Sequence, residues 1–216
     1  MSDPDFIATL PIERRLALAY APGRSRVQWL GLLALDARLG GVVRAAHEPL
    51  LAQIKLAWWR DELAKPLAER RRGEPLLELI DAWGDNAGAL AALVDGWEVL
   101  LAGDDLTREE VTAFADARAR ACCGLVATVG VAADNAAIAA RRWALADLAA
   151  AIVDPAQRAV VEGVIGDQHW PRIQLPRELR PLQVFYGLAM RHHGPVPLIG
   201  GVLTGMRAVR LGLLGI

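Results

Sequence analysis

The sequence has few of the residues that metal and redox chemistry need. Its 216 residues include only two cysteines, Cys122 and Cys123, which are adjacent. They form no Cys-x-x-Cys pair and have no nearby ligand at zinc spacing, so neither a zinc site nor a redox pair is predicted. We interpret both as small buried apolar residues and expect a reducing, cytoplasmic location, with membrane association as an alternative.

An excess of charge of one sign and long apolar runs are also missing. The formal net charge is −1, which argues against a nucleic-acid partner, because such proteins usually carry a basic excess. No run of about 18 apolar residues and no secretory signal is present, so no transmembrane helix is predicted. Arg207 and Arg210 lie among leucines in the last predicted helix, which therefore either contacts a membrane peripherally or caps the fold.

Alternating runs of β-branched residues are missing as well, which makes a sheet improbable. Alanine and leucine dominate instead, and alanine is the strongest helix former. Proline, glycine and capping residues break the chain into segments of helical length, and no linker is long or polar enough to separate domains. We predict one all-α domain over 1–216, with helices at about 9–20, 25–45, 49–66, 76–83, 86–101, 107–130, 135–153, 155–166 and 198–214, and another that follows 175–182 and ends near 192.

Three charged residues lie in apolar stretches of the second and third predicted helices. Asp36, Arg38 and Arg60 each have only apolar residues and glycine three and four positions away. A buried charge needs a partner or a ligand, so we predict a salt bridge between Asp36 and Arg60. Asp61 precedes Lys65 by four residues, the favourable order for a helical ion pair, and is predicted to form a surface pair with it.

Four segments together resemble the squalene/phytoene synthase family, and are similar above all to its divergent bacterial members and to the related complex I assembly factor. The segments are Tyr20-Ala21-Pro22 with Arg24 and Arg26, Leu32-Leu33-Ala34-Leu35, Trp58-Trp59-Arg60-Asp61-Glu62-Leu63, and Leu-Pro-x-x-Leu-Arg-Pro-Leu over 175–182. The resemblance implies an isoprenoid (terpenoid) synthase-like helical bundle around a central cavity. It makes the following residues candidates for the cavity or for ligand binding: Tyr20, Arg26, Asp36, Arg38, Trp58, Trp59, Arg60 and Asp147.

The resemblance also implies two aspartate-rich motifs that hold Mg²⁺ and a prenyl diphosphate across the cavity, but this sequence departs from both. Aligned from the shared Leu-Ala-Leu segment, the first motif falls on Gly40-Gly41-Val42-Val43-Arg44. The second is expected in 140–153, where Asp147 is the only acid. Because Mg²⁺ requires several oxygen ligands, no metal and no catalytic residue is predicted.

Three functions stay open at this stage. The first is a non-catalytic family member that binds a prenyl chain or other lipid, or that assists protein assembly through a protein partner. The second is an active prenyl-diphosphate transferase whose Mg²⁺ is held by rearranged ligands, Asp36, Asp61 and Asp147. The third is a helical interaction module without a ligand, which a solidly packed interior would favour.

Overall fold

A computed structural model gives the structure of the protein and describes residues 3–46, 48–101, 103 and 105–191. Within these ranges the chain is helical and contains no strand, which confirms the all-α prediction. The α-helices are α1 (Asp3–Thr9), α2 (Ile12–Ala19), α3 (Gly23–Arg44), α4 (Pro49–Ala64), α5 (Pro75–Ile80), α6 (Ala91–Val99), α7 (Arg108–Val129), α8 (Ala136–Ala151), α9 (Pro155–Gly166) and α10 (Arg180–Ala189). Three 3₁₀ segments accompany them, at Leu67–Glu69, Asp81–Leu90 and Arg177–Leu179.

Local sequence signals set several helix ends. At the start of α7, Glu110 N–H donates to the hydroxyl of Thr107, and the Glu110 carboxylate accepts from the Thr107 N–H, which is the predicted capping box. The same helix ends at Gly130, whose φ of 68° is a left-handed conformation that glycine adopts without strain. Asp154 caps α9, as its position before a proline predicts.

Helix α3 lies at the centre of the bundle, as its nearly all-round apolar pattern predicts. Trp29, Leu35 and Leu39 are completely buried on it, and it contacts α1, α2, α4, α5, α6 and α7. Helix α7 packs between α6 and α8, and α10 packs on α8 and α2. Gly96 permits the close approach of α6 to α7, because a Cβ there would lie 2.6 Å from the Cβ of Ala117.

Four expectations need correction or fall outside the structure. The first helix does not begin at Thr9, which instead ends a separate helix, α1, and donates its hydroxyl to the carbonyl of Phe6. The helix predicted over 86–101 is a 3₁₀ segment followed by the shorter α6. Cys123 is exposed, whereas Cys122 is buried as predicted. The helix predicted over 198–214 lies outside the described residues.

None of the helices in the ranges that the structure describes is long and apolar enough to cross a bilayer.

Candidate functional site

Two arginines and two aspartates meet at the centre of the bundle. Arg14 of α2, Asp36 of α3, Arg118 of α7 and Asp147 of α8 come from four different helices, and we call them the arginine–aspartate quartet. Each guanidinium bridges both carboxylates. The Nη1 of Arg14 lies 2.8 Å from Asp36 Oδ2 and its Nη2 3.1 Å from Asp147 Oδ2, while Arg118 lies 2.9 Å from one oxygen of each aspartate.

Asp36 is the most deeply buried member of the quartet. Its side chain is 0% exposed, against 1% for Arg118 and 20% for Asp147. Besides the two arginines it accepts a hydrogen bond of 2.8 Å from Nε1 of Trp97, a residue of α6. The prediction that Asp36 is a buried carboxylate that needs partners is therefore confirmed.

The electrostatics of the quartet favour the charged forms of Asp36 and Arg14. Burial alone raises the pKa of Asp36, but the guanidiniums of Arg118 and Arg14 and the hydrogen bond from Trp97 lower it below its usual range. For Arg14, burial lowers the pKa, but the carboxylates of Asp36 and Asp147 raise it above its ordinary value. Two positive and two negative charges balance, so the centre is ionic and neutral.

Aromatic rings enclose the quartet. The guanidinium carbon of Arg118 lies 4.6 Å from the ring centroid of Trp143 and 4.8 Å from that of Phe114. Arg14 lies 5.8 Å from the Trp143 centroid, and that ring stacks on Phe185 at 4.3 Å. Cation–π contacts of this kind hold an arginine without withdrawing it from its ion pairs, so the rings help to position both guanidiniums.

A cleft of about 480 Å³ opens from the quartet toward the surface, and we call it the inner cleft. Arg14 and Asp147 of the quartet line it, together with the charged side chains of Arg44 and Glu13. The remaining wall is mostly apolar. It consists of Pro11, Ala37, Val43, Trp97, Leu100, Phe114, Leu148, Ala150, Ala151 and Ile152. Such a cleft suits an apolar ligand with one polar end.

Gly40, the position that the resemblance aligns with the first aspartate of the metal motif, lies against Trp97. A Cβ at Gly40 would come within 2.9 Å of two ring carbons of Trp97 and of Nη1 of Arg44. An aspartate therefore does not fit here unless the indole moves away from Asp36. Within the described residues no group of three or more acidic, histidine or cysteine side chains could hold a metal ion.

The predicted salt bridge between Asp36 and Arg60 is wrong. Arg60 of α4 pairs instead with two acids of α6, Asp95 at 2.8 Å and Glu98. Its side chain is 35% exposed. Of the four neighbouring positions that suggested burial, Leu56 and Leu63 are buried, but Ala57 is half-buried and Ala64 is exposed. Arg60 therefore lies at the border of the buried face, from which its long side chain reaches the acids of α6.

The predicted ion pair between Asp61 and Lys65 does not form, because Lys65 pairs with Glu62 instead. Asp61 is exposed, as expected, but the ammonium of Lys65 lies 2.5 Å from the carboxylate of Glu62, one residue on. Glu62 is buried and also accepts a hydrogen bond from the N–H of Arg71, so its position is constrained from two sides. A fixed carboxylate within reach is the better partner for Lys65.

The remaining candidates lie away from the inner cleft. Tyr20 is half-buried after α2, and Arg26 donates at 2.8 Å to the carbonyl of Leu18. Arg38 is exposed on α3, which contradicts its expected burial. Trp58 is half-buried and Trp59 is buried, with their rings edge to face at 4.9 Å. Of the eight candidates, the structure brings together Asp36 and Asp147.

Arg14, Arg118 and Trp97 are the site residues that sequence reasoning missed. The signal for the two arginines was present. Arg14 has Leu10, Pro11, Ala17 and Leu18 three and four positions away, and Arg118 has Phe114, Ala115, Ala121 and Cys122. The neighbour pattern that selected Asp36 thus also applies to both arginines that bind it.

The chain was compared with family models, with curated proteins and with solved structures, and nothing matches in any of the three comparisons. The fold and the quartet therefore define the class of protein by themselves: an all-α bundle with a neutral ionic centre and a cleft that leads to it.

Proposed function

We propose that this chain is a divergent squalene/phytoene synthase-like protein that carries out no metal-dependent prenyl transfer and binds a prenyl chain or similar lipid in the inner cleft. The four sequence segments support the family. The arrangement of the cleft agrees with it, because the two stretches that the resemblance aligns with the metal motifs both contribute to its wall. These are Val43 and Arg44 on α3, and Asp147, Leu148, Ala150 and Ala151 on α8.

The quartet is the observation that carries this proposal. Asp36 and Asp147 are the two central carboxylates, and each already binds two guanidinium groups. A Mg²⁺ ion at this place would have to displace both arginines and would lie beside their charges. Its preferred octahedral set of oxygen ligands cannot form from two carboxylates that are held in this way.

The shape of the inner cleft favours a lipid over no ligand. Its volume lies within the range of about 300–1,000 Å³ that small-molecule sites occupy. Leu100, Phe114 and Ile152 line it, and covering these apolar side chains with an apolar ligand is favourable because it removes their surface from water. A purely structural module would fill this space with its own side chains.

The active transferase is the alternative, and it requires Asp36, Asp61 and Asp147 to share a metal ion. Asp61 is exposed on α4, while Asp36 is completely buried within the quartet. This arrangement supports the non-catalytic function. A role as an assembly factor is compatible with a bound lipid. A protein that co-purifies with this chain would support that role.

The test begins with native mass spectrometry of the purified full-length protein, which should detect a bound lipid. Farnesol and farnesyl diphosphate are then titrated, with tryptophan fluorescence as the signal because Trp97 lines the cleft. Ala151→Trp, at the exposed mouth of the cleft, should block binding. Ala127→Trp, at an exposed position on α7 outside the cleft, is the matched control and should bind normally.

Two results would overturn the proposal. Equal binding by the two tryptophan variants would show that the ligand lies elsewhere. Mg²⁺-dependent release of diphosphate from farnesyl diphosphate, at a rate abolished in Asp36→Asn, would establish catalysis.

A further inference from the structure

Helix α4 carries apolar residues on two opposite sides. Ala52, Leu56 and Leu63 are buried and face the core. Leu50, Leu51 and Ile54 are 66%, 53% and 58% exposed. Since each residue turns the helix by about 100°, these three lie on the side opposite the buried set. Among the residues that the structure describes, α4 has a packing partner on only one of its two apolar sides.

Two cations stand beside this outward face. Leu51 and Lys55 of α4, with Arg38 of α3, line a groove of about 660 Å³, which we call the outer groove. Its wall is largely apolar and includes Phe6, Val42 and Leu76. Arg38 and Lys55 form no ion pair within the described part of the chain, and Glu48 is the one acid among the lining residues, so the lining carries a net positive charge.

We propose that Leu50, Leu51 and Ile54, with Arg38 and Lys55, form a surface that docks on an anionic lipid bilayer. Aliphatic side chains that enter the boundary between headgroups and acyl chains, next to cations that meet anionic headgroups, are typical of peripheral membrane contacts. This surface consists of residues other than 198–214, the stretch for which the sequence predicted membrane contact, and it does not depend on the function of the inner cleft.

The size of the surface decides between a bilayer and a protein partner. Three side chains expose a few hundred Å² at most, whereas a stable protein interface covers roughly 800 Å² on each partner. Lysine is moreover depleted in protein interfaces. Asp61 lies on the same side of α4 but about 16 Å farther along the axis than Leu50, so the contact is confined to the first turns. Half-buried Trp58, two turns from Leu50, suits the headgroup region.

Co-sedimentation of the full-length protein with vesicles tests this proposal. Binding is expected to phosphatidylcholine vesicles that contain phosphatidylserine and to be much weaker without it. The double variant Leu50→Ser/Ile54→Ser should weaken binding at least tenfold, from the lost apolar insertion. Lys55→Gln should weaken it about fivefold, and added salt should do the same.

The matched control is Ile12→Ser/Val153→Ser, which changes two apolar residues that are 59% and 87% exposed elsewhere. It should bind like the unchanged protein, and circular dichroism should show that both double variants are folded. Equal loss in both double variants, or no binding to anionic vesicles, would overturn the proposal. So would self-association that the Leu50/Ile54 variant abolishes, because the surface would then bind a second copy of the chain.

Discussion

Replacement of Asp36 by asparagine tests the quartet at its most buried member. The change keeps the shape of the side chain but removes its charge, so Arg14 and Arg118 then share only Asp147. Both arginines are at least 94% buried, with side-chain exposures of 6% and 1%. Breaking one side of a buried ion pair typically costs about 3–5 kcal/mol, because the other charge stays buried without compensation. For a chain of this size this corresponds to a decrease in Tm of about 6–20 °C.

Urea denaturation of the unchanged protein and of Asp36→Asn, followed by circular dichroism, measures this loss. The control is Asp95→Asn, which removes the exposed pair with Arg60 on the surface and should cost at most about 1 kcal/mol. A second variant, Asp36→Leu/Arg118→Met, removes one charge of each sign and leaves the pair of Arg14 with Asp147. This double variant should lower the free energy of unfolding by less than Asp36→Asn does. Equal stability of Asp36→Asn and Asp95→Asn would refute the reasoning.

The same experiment has a definite pH dependence. Because the pKa of Asp36 is lowered in the folded protein, its contribution is present above its unfolded pKa of about 4 and is lost as the pH falls through the folded value. The difference in stability between the unchanged protein and Asp36→Asn should therefore be constant from neutral pH to about pH 5 and should decrease below about pH 4. A difference that grows on acidification would contradict the ionised state of Asp36.

Three further predictions concern other parts of the fold. Gly40→Ala should destabilise the protein, because the added Cβ would lie 2.9 Å from the ring of Trp97. Gly41→Ala, whose Cβ would have nothing within 4 Å, should instead raise the stability by up to about 1 kcal/mol through helix propensity. Thermal melts that rank the two variants in the reverse order would contradict the packing. Arg142→Met should raise the free energy of unfolding by about 1 kcal/mol, because two nitrogens of this buried guanidinium have no hydrogen-bond partner and burial lowers its pKa. A lower free energy of unfolding for this variant in urea denaturation would mean that the charge is compensated. Finally, a thiol reagent should modify exposed Cys123 in the folded protein but Cys122 only after unfolding, because Cys122 is buried and burial raises the pKa of its thiol. Mass spectrometry that finds both cysteines modified under native conditions would refute this prediction.

Local features of the sequence were enough to predict most helices and the carboxylate at the centre. The capping box at Thr107 and the cap at Asp154 act within one turn, so their residues can be recognised without knowledge of the fold. The apolar residues around Asp36 likewise identify the buried part of the central helix. They imply that the charge has a partner but not which residue that partner is.

The tertiary structure alone decided what binds Asp36 and what fills the centre. Arg118 lies 82 positions from Asp36 along the chain, whereas Arg60, which the local pattern favoured, pairs with Asp95 and Glu98 of α6. In helices this rich in alanine, several faces look equally apolar, so periodicity does not determine which one meets the core. The sequence by itself therefore determined the all-helical character of the described residues and the need of a buried carboxylate for partners. Only the packing of α2, α3, α7 and α8 showed that two arginines neutralise the central carboxylates.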